Sequence, residues 1–324
     1  EGAMRIARIV ALSCIAVCFA AGAYAQDYPT KPVRVIVPFT AGSATDLIAR
    51  AISLKLSELW NKPVVVENLT AEGVVAATAA AAKAPKDGYT LLITGSAHAA
   101  SPVLYANLPY DPVKDFIDIA PLASQPYVLV TGPSSGVKSV SALIAAAKAR
   151  PGQLKYGTAG SGSGTHFVAE KFKMAAGIDV IHVPYKGGPE ANAATMTGQT
   201  TYWFPPMAIA LKPVREGKLV ALGLTGSTRN DGLPSVPTMA EAGVADFVQT
   251  TWWGIWAPAG TPARVVDKLA NDVARAVSSP DLRGEFAKLG FEPMSLTQAD
   301  FARFVRSEME AAARIAKAAG IKPQ

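Results

Sequence analysis

The apolar residues of this chain switch repeatedly between two periods. "VRVIVPF" (33–39) is an unbroken β-branched and apolar run, the pattern of a buried strand. "TDLIARAISLKLSELW" follows, with Ile48, Ile52, Leu56 and Leu59 at helical spacing and polar positions between them. "VVVEN" predicts a second strand, "AATAAAAKA" a second helix and "GYTLLIT" a third strand. "SVSALIAAAKA" predicts a further helix, ended by Pro151 and Gly152. The second half repeats the theme with strand "LKYGT", helix "HFVAEKFKMAAG" closed by Gly177, strand "VIHVPY", helix "EANAATMTG" and strand "LVALGLT". The C-terminal part is helical in "PARVVDKLANDVARAVSS" and "TQADFARFVRSEMEAAARIAKAAG". Strands alternating with helices predict an α/β chain of parallel units. A new α/β run begins in "LASQPYVLV", and a return is expected near "TTWWGIWAPAGTP".

The first residues carry a different pattern. Residues 1–3 precede Met4 and read as vector-derived. Arg5 and Arg8, the uncharged stretch "IVALSCIAVCFAAG" and the "AYA" before Gln26 make a secretory signal peptide cut after Ala25. The apolar run is shorter than the roughly 20 residues a membrane span needs. Cys14 in "ALSC" offers a lipoprotein site as the alternative, although the Ala-Tyr-Ala site fits simple cleavage better. Cleavage removes Cys14 and Cys18, the only cysteines, so the exported product is expected to have no disulfide, thiol nucleophile or thiolate ligand.

Composition sharpens this picture. A length of 324 residues suits two domains of about 150 residues each. Half the residues are hydrophobic and 17% are charged, which describes a core-building chain. The net charge of +6 is spread out, with no run of five or six like charges. That argues against a nucleic-acid surface and is compatible with a small anionic ligand.

Candidate chemistry centres on a tetrapeptide that occurs twice. TAGS at 40–43 and TAGS at 158–161 each lie between a strand pattern and a helix pattern. A helix N-terminus carries unpaired N–H donors and about half a positive charge, and so binds carboxylate or phosphate. Gly42, Gly160, Gly162 and Gly164 admit close approach of a ligand, and Ser43, Ser161, Ser163 and Thr165 offer hydroxyls to the same anion. "GTAGSGS" has no Lys where a P-loop requires one. Ser43 and Asp46 also fit a capping box that serves the helix start alone. Gly132–Gly136 matches G-x-S-x-G by letter, but helical periodicity resumes only near Ser139, so it reads as a turn. His166 sits at the helix start after the second TAGS, placed either to meet a carboxylate or to pack and cap. His98 follows the third strand and His182 lies within a strand. Three scattered histidines do not make a metal site, and no cofactor is expected. Trp252, Trp253 and Trp256 read as hinge and core packing.

Several separate phrases resemble one family. "YPTKPVRVIVPF", "KDGYTLLIT", "LPYDPVKDF", "GTHFVAEKFKMAAGIDVIHVPYKG", "LPSVPTMAEAG" and "WAPAGTP" occur in the order found in Bug-type (TctC-like) solute receptors, the periplasmic subunits of tripartite tricarboxylate transporters. The resemblance runs from Tyr28 to the C-terminus. It implies an α/β, two-lobed periplasmic binding protein of type II-like topology, with a ligand cleft between the lobes. Lobe 1 would comprise residues 26–125 plus 250–324, and lobe 2 residues 126–249. The expected partners are a small organic carboxylate and the membrane subunits of the transporter, with the receptor a non-enzymatic monomer. The expected ligand contacts are Phe39, Thr40, Ala41, Gly42, Ser43, Asp46, Ser96, Ala97, His98, Thr158, Gly160, Ser161, Gly162, Ser163, His166, Tyr185, Phe204 and Met207.

Three departures from the family pattern bear on the ligand. The first loop reads "GSATD" where the family carries two glycines, "ENLTAEGVVAA" keeps only Gly73 of a Gly-rich turn and brings in Glu72, and "TTYWFPPM" places Thr201, Pro205 and Pro206 around Phe204. Together they imply a drier pocket and a preference for an aromatic mono- or dicarboxylate. The rival class is an exported serine hydrolase that uses Ser134 or Ser163 with His166.

Overall fold

A computed structural model describes residues 28–70, 73–161, 163–319 and 323. The signal-peptide region, Glu72 and Gly162 lie outside these described residues. The first sheet takes strands from both ends of the chain. β1 (Val33–Val37), β2 (Val64–Asn68) and β3 (Thr90–Gly95) run parallel, in the order β3-β1-β2. They are linked by α1 (Ala44–Trp60) and α2 (Gly73–Ala82), and α3 (Ser96–Leu104) follows β3 directly. β4 (Phe116–Pro126) leads out of this sheet into β5 (Val128–Thr131) of the second. β10 (Thr250–Pro258) returns and inserts between β4 and β3, antiparallel to both. The parallel pattern expected from the sequence therefore holds for β1–β3 and breaks at β10, because a strand returning from the other lobe enters from the opposite end.

Side-chain alternation in this sheet splits the core into two layers. Val33, Val35, Val37, Leu91, Ile93, Trp253 and Ile255 face α1, α8 (Ala263–Val277) and α9 (Pro280–Lys288). Ile36, Leu92, Trp252 and Trp256 face α2 and α10 (Gln298–Ala319). Burying each such Val, Leu or Ile fully contributes about 1.5–3 kcal/mol. β11 (Glu292–Pro293) closes the edge beside β4.

The second sheet has the order β7-β6-β8-β5-β9. It is built from β5, β6 (Lys155–Thr158), β7 (Ile181–Pro184), β8 (Tyr202–Trp203) and β9 (Val220–Leu224), with α4 (Val140–Ala149), α5 (Gly164–Ala176), α6 (Gly188–Met196) and α7 (Met207–Arg215) around it. It too has a layer on each face. One holds Leu129, Tyr156, Tyr202, Phe204 and Leu222, the other Val128, Val130, Trp203, Met207 and Leu224.

The two crossings between the sheets are neighbours. β4 and β10 pair along their length, from Thr250 opposite Pro126 to Pro258 opposite Phe116. The link between the lobes is thus a two-stranded ribbon, with Trp252 tied to Glu308 and Trp256 tied to Asp118 by their indole N–H groups. Among the described residues no helix is long and apolar enough to cross a membrane.

Candidate functional site

Four strand-to-helix junctions converge where the sheets meet: β1–α1, β3–α3, β6–α5 and β7–α6. The cleft between them has a volume of ≈ 460 Å³, counting space open to solvent. Ser43, Ala44 and Thr45 begin α1 on its wall, Ser96 and Ala97 begin α3, Gly164 and Thr165 begin α5, and Gly188 begins α6. The first amides of each helix have no partner inside it and carry the positive end of the helix dipole. Among the described residues no charged side chain lines the cleft. Phe39, Pro206, Ile209 and Trp253 supply apolar walls, and Tyr127 and Thr251 join Ser96 in a hydroxyl floor where the ribbon enters. Burial pushes the Tyr127 hydroxyl up to about 12, so it stays protonated and donates.

The first TAGS loop is tied down from beneath. Ser43 caps α1, its Oγ accepting from the Asp46 amide at 3.2 Å. The Asp46 carboxylate accepts from the Gly42 amide, the Arg50 guanidinium and the Asn68 amide at 2.8–2.9 Å. Burial pushes this carboxyl up, but those three donors outweigh it and hold it below the usual range. Asp46 is buried and serves the loop; its carboxylate does not face the cleft. Gly42 has φ +77, a left-handed conformation that disfavours a side chain. A Cβ there would face Pro189 at 3.8 Å and not the cleft, so the glycine serves the turn.

The second loop is knit by hydroxyls. Ser163 caps α5, accepting from the His166 amide, donating to Gly160 O and lying 2.7 Å from Thr165 Oγ1. Thr165 in turn accepts from the Ala159 amide. The His166 ring stacks on His182 at 4.2 Å, and His182 stacks on Tyr156 at 5.0 Å with its Nε2 2.7 Å from Thr158 Oγ1. Burial holds both imidazoles below the ordinary histidine value, His182 at about 4. Ser134 lies on a 3-10 turn (Pro133–Ser135) in a different groove, and α4 starts only at Val140. The G-x-S-x-G match is therefore a turn. Among the described residues no group of His, Cys, Asp and Glu is placed to hold a metal ion.

Both TAGS loops reach the cleft, through Ser43 and through Ala159 and Ser163. Their tips, however, meet other elements of the opposite lobe. Thr40 and Gly42 lie against Gly187 and Pro189 before and in α6. Ser161 accepts from the Tyr105 hydroxyl at 3.0 Å through its carbonyl. Beside it, Phe167 packs on Ala100, Leu104, Ala312 and Ala316 of the first lobe.

Of the expected contacts, Phe39, Ser43, Ser96, Ala97 and Ser163 line the cleft, whereas Thr40, Ala41, Gly42, Thr158, Gly160, Ser161, His166 and Tyr185 are not among its lining residues. Four expectations need correction. The Asp46 carboxylate is turned to its own loop, as described above. His98 is turned into the first lobe, between Phe116 and Trp256, with Nε2 3.1 Å from Pro112 O. Phe204 packs among Phe172, Tyr202 and Phe247, because its side chain falls on the inner face of the second sheet. Met207 is fully buried beneath α7, and Pro206 and Ile209 reach the cleft instead. Sequence reasoning missed Thr45, Gly95, Tyr127, Gly188, Thr251 and Trp253. Of these, Trp253 is both core and wall, its indole N–H donating to Thr45 Oγ1 at 2.9 Å. The run of small residues in "YKGGPE" was the one available signal for Gly188.

Comparison with known proteins gives a consistent result. The profile of the tripartite tricarboxylate transporter family receptor (TctC) matches residues 48–321. Protein BugT of Bordetella pertussis is 33% identical over 320 residues, covering 98% of each chain. Rpa4515 of R. palustris, solved with adipate, superposes with a TM-score of 0.89 at 34% identity over 92% of this chain and 100% of its own. MatC (Rpa3494) from Rhodopseudomonas palustris, solved with bound malate, gives 0.84 at 30% identity over 89% and 99%.

Proposed function

For a chain that belongs to the tripartite tricarboxylate transporter receptor family (TctC), we propose the role of a periplasmic receptor that closes on a small dicarboxylate and delivers it to the transporter's membrane subunits. One observation carries this reading: four helix N-termini, two from each lobe, meet in a cleft that has no charged side chain among the described residues. At about half a charge each, they supply roughly two positive charges. A dianion matches that field, a monoanion uses half of it, and a trianion exceeds it. The relatives with adipate and malate are in keeping with this class.

The hydrocarbon body of the ligand would lie against Phe39, Pro206, Ile209 and Trp253. Such walls accept an aliphatic chain or an aromatic ring, so aromatic dicarboxylates stay among the candidates. Closure would bend the β4–β10 ribbon, with the lobes dividing near Gln125 and Thr250 and residues 126–249 moving as one lobe. The receptor would act as a monomer, after cleavage behind Ala25, and would return its ligand unchanged.

A thermal-shift screen of mono-, di- and tricarboxylates tests this. A ligand at 100 times its Kd stabilises the folded state by about 2.7 kcal/mol. Dicarboxylates are expected to shift the melting temperature most. A screen in which no organic acid at millimolar concentration shifts it, or in which the acid is chemically altered, overturns the reading.

A further inference from the structure

A second cavity adjoins the cleft. It has a volume of ≈ 530 Å³, counting space open to solvent, and Ser96, Tyr127 and Gly164 line both spaces. Ser96 begins α3 in the first lobe, Gly164 begins α5 in the second, and Tyr127 lies between β4 and β5 at the crossing. They are packed without room to spare. A Cβ on Gly164 would lie 2.2 Å from the Tyr127 hydroxyl and 2.5 Å from Ser96 Oγ. The Tyr127 ring is fixed in the core of the second lobe and is 1% exposed, so it is not free to swing aside. These three residues form a partition, and it closes because position 164 carries no side chain.

The chamber beyond the partition differs from the cleft. Ala100, Phe167, Ala312 and Ile315 give it apolar walls. Among the described residues its one charged side chain is Glu308, whose Oε2 accepts from the Trp252 indole N–H at 2.8 Å, and no cation lines it. The helix starts at Ser96 and Gly164 belong to the partition and also present amides to the cleft. A carboxylate held by those amides rests against the partition, while α1 and α6 serve the other end of the ligand. A longer chain drives its terminal carboxylate into Tyr127 and Ser96. Beyond them lies Glu308, a like charge in apolar surroundings that repels it.

We infer that the partition of Tyr127, Ser96 and Gly164, with Glu308 behind it, sets the upper limit of ligand length. Diacids that end at α3 and α5 are admitted, and longer ones are rejected by contact and by charge. This rests on the dicarboxylate reading above and names the residues that bound its ligand.

The test is calorimetric titration with unbranched diacids of increasing length: succinate, adipate, suberate and sebacate. Burying one more methylene in an open apolar channel raises affinity roughly 4-fold, so a site without a stop would favour sebacate. The wild-type receptor is expected to prefer a shorter member and to bind sebacate roughly 10-fold or more weakly than that member. Tyr127→Phe combined with Ser96→Gly removes both oxygens and keeps the core ring, and Tyr127→Leu opens the partition further. In either variant the ratio of sebacate to adipate affinity should rise by roughly 10-fold or more, and adding Glu308→Gln should raise it again. Ala311→Leu fills the chamber from α10; alone it should leave adipate binding like the parent, and in an opened variant it should cancel the gain. Wild-type binding of sebacate as tight as that of the best shorter diacid overturns the inference. An unchanged ratio in a folded opened variant overturns it too, by placing the limit elsewhere. Both results leave the dicarboxylate receptor standing, whereas absence of binding by every diacid overturns that reading and this one together. The double variant removes no carbon from the core ring and guards against a folding failure of Tyr127→Leu, and the wild-type series needs no variant.

Discussion

Replacing Gly187 by Ala should separate closure from folding. The glycine has φ −177, extended backbone that alanine adopts without strain, so the second lobe by itself should tolerate the change. In the closed arrangement the new methyl would lie 2.1 Å from Thr40 Oγ1 and 3.3 Å from Thr40 Cβ, inside the ~3.5 Å at which carbon atoms rest. Thr40 belongs to the other lobe, so that overlap exists only when the lobes meet, whereas the 3.2 Å approach to Glu190 Oε2 in the same lobe is relieved by a small rotation of that side chain. Adding a methylene-sized group to a packed contact costs about 1–3 kcal/mol, with rotation of the Thr40 side chain setting the lower end. That converts to a loss of roughly 5- to 150-fold in affinity. Titration with adipate reads it, and calorimetric melting of the ligand-free protein provides the control, which should match the parent. Adding Thr40→Ala to the variant removes the clashing oxygen and should restore most of the adipate affinity. Parent-like binding by the Gly187→Ala protein would refute the interlobe contact. A ligand-free melting temperature lowered by as much as the affinity would show instead that Gly187 serves the fold of its own lobe.

Three further outcomes are expected. Ser43→Ala removes the cap of α1 and should lower stability by about 0.5–2 kcal/mol, whereas Ser161→Ala keeps the carbonyl that Tyr105 uses and should bind like the parent; Tyr105→Phe should lose about 1 kcal/mol of binding, read by the same titration. His98 is buried with its pKa held down to about 4, chiefly by desolvation, so the unfolded chain takes up its proton first as pH falls. The resulting stability is full above about 6.5 and disappears towards 4, a loss on the order of 3 kcal/mol, and chemical denaturation of His98→Phe should show a flatter profile across that window. Small-angle scattering should give a smaller radius of gyration with saturating ligand, by bending of the β4–β10 ribbon, and an unchanged radius would exclude hinge closure in solution.

Local pattern was enough to place most of the elements. The strand-like runs became β1, β2, β3, β6 and β9, the amphipathic stretches became α1, α5, α8 and α10, and Ser43 became the cap its spacing to Asp46 indicated, whereas Ser163, expected to serve the ligand, caps α5. It was also enough to point at anion recognition, since a serine-capped helix directly after a strand presents its amides wherever the fold puts them. Elements with little periodicity escaped. "SAHAASPVL" carries Pro102 and no apolar stripe, yet forms α3 and brings Ser96 and Ala97 to the cleft. β8 is two residues long, and α7 starts behind two prolines.

The composition of the site was a matter for the tertiary structure. Periodicity tells which face of an element is buried, but not which other element buries it. Ala97 and His98 are neighbours on α3, and a rotation of about 100° per residue sends one to the cleft and the other into the core against Trp256. Trp203 and Phe204 likewise fall on opposite faces of the second sheet. The meeting of Thr40 with Gly187 and Glu190 joins residues nearly 150 positions apart, through the strand order of two sheets and the ribbon between them. No local signal encodes that meeting, because it depends on how the two lobes pack against each other.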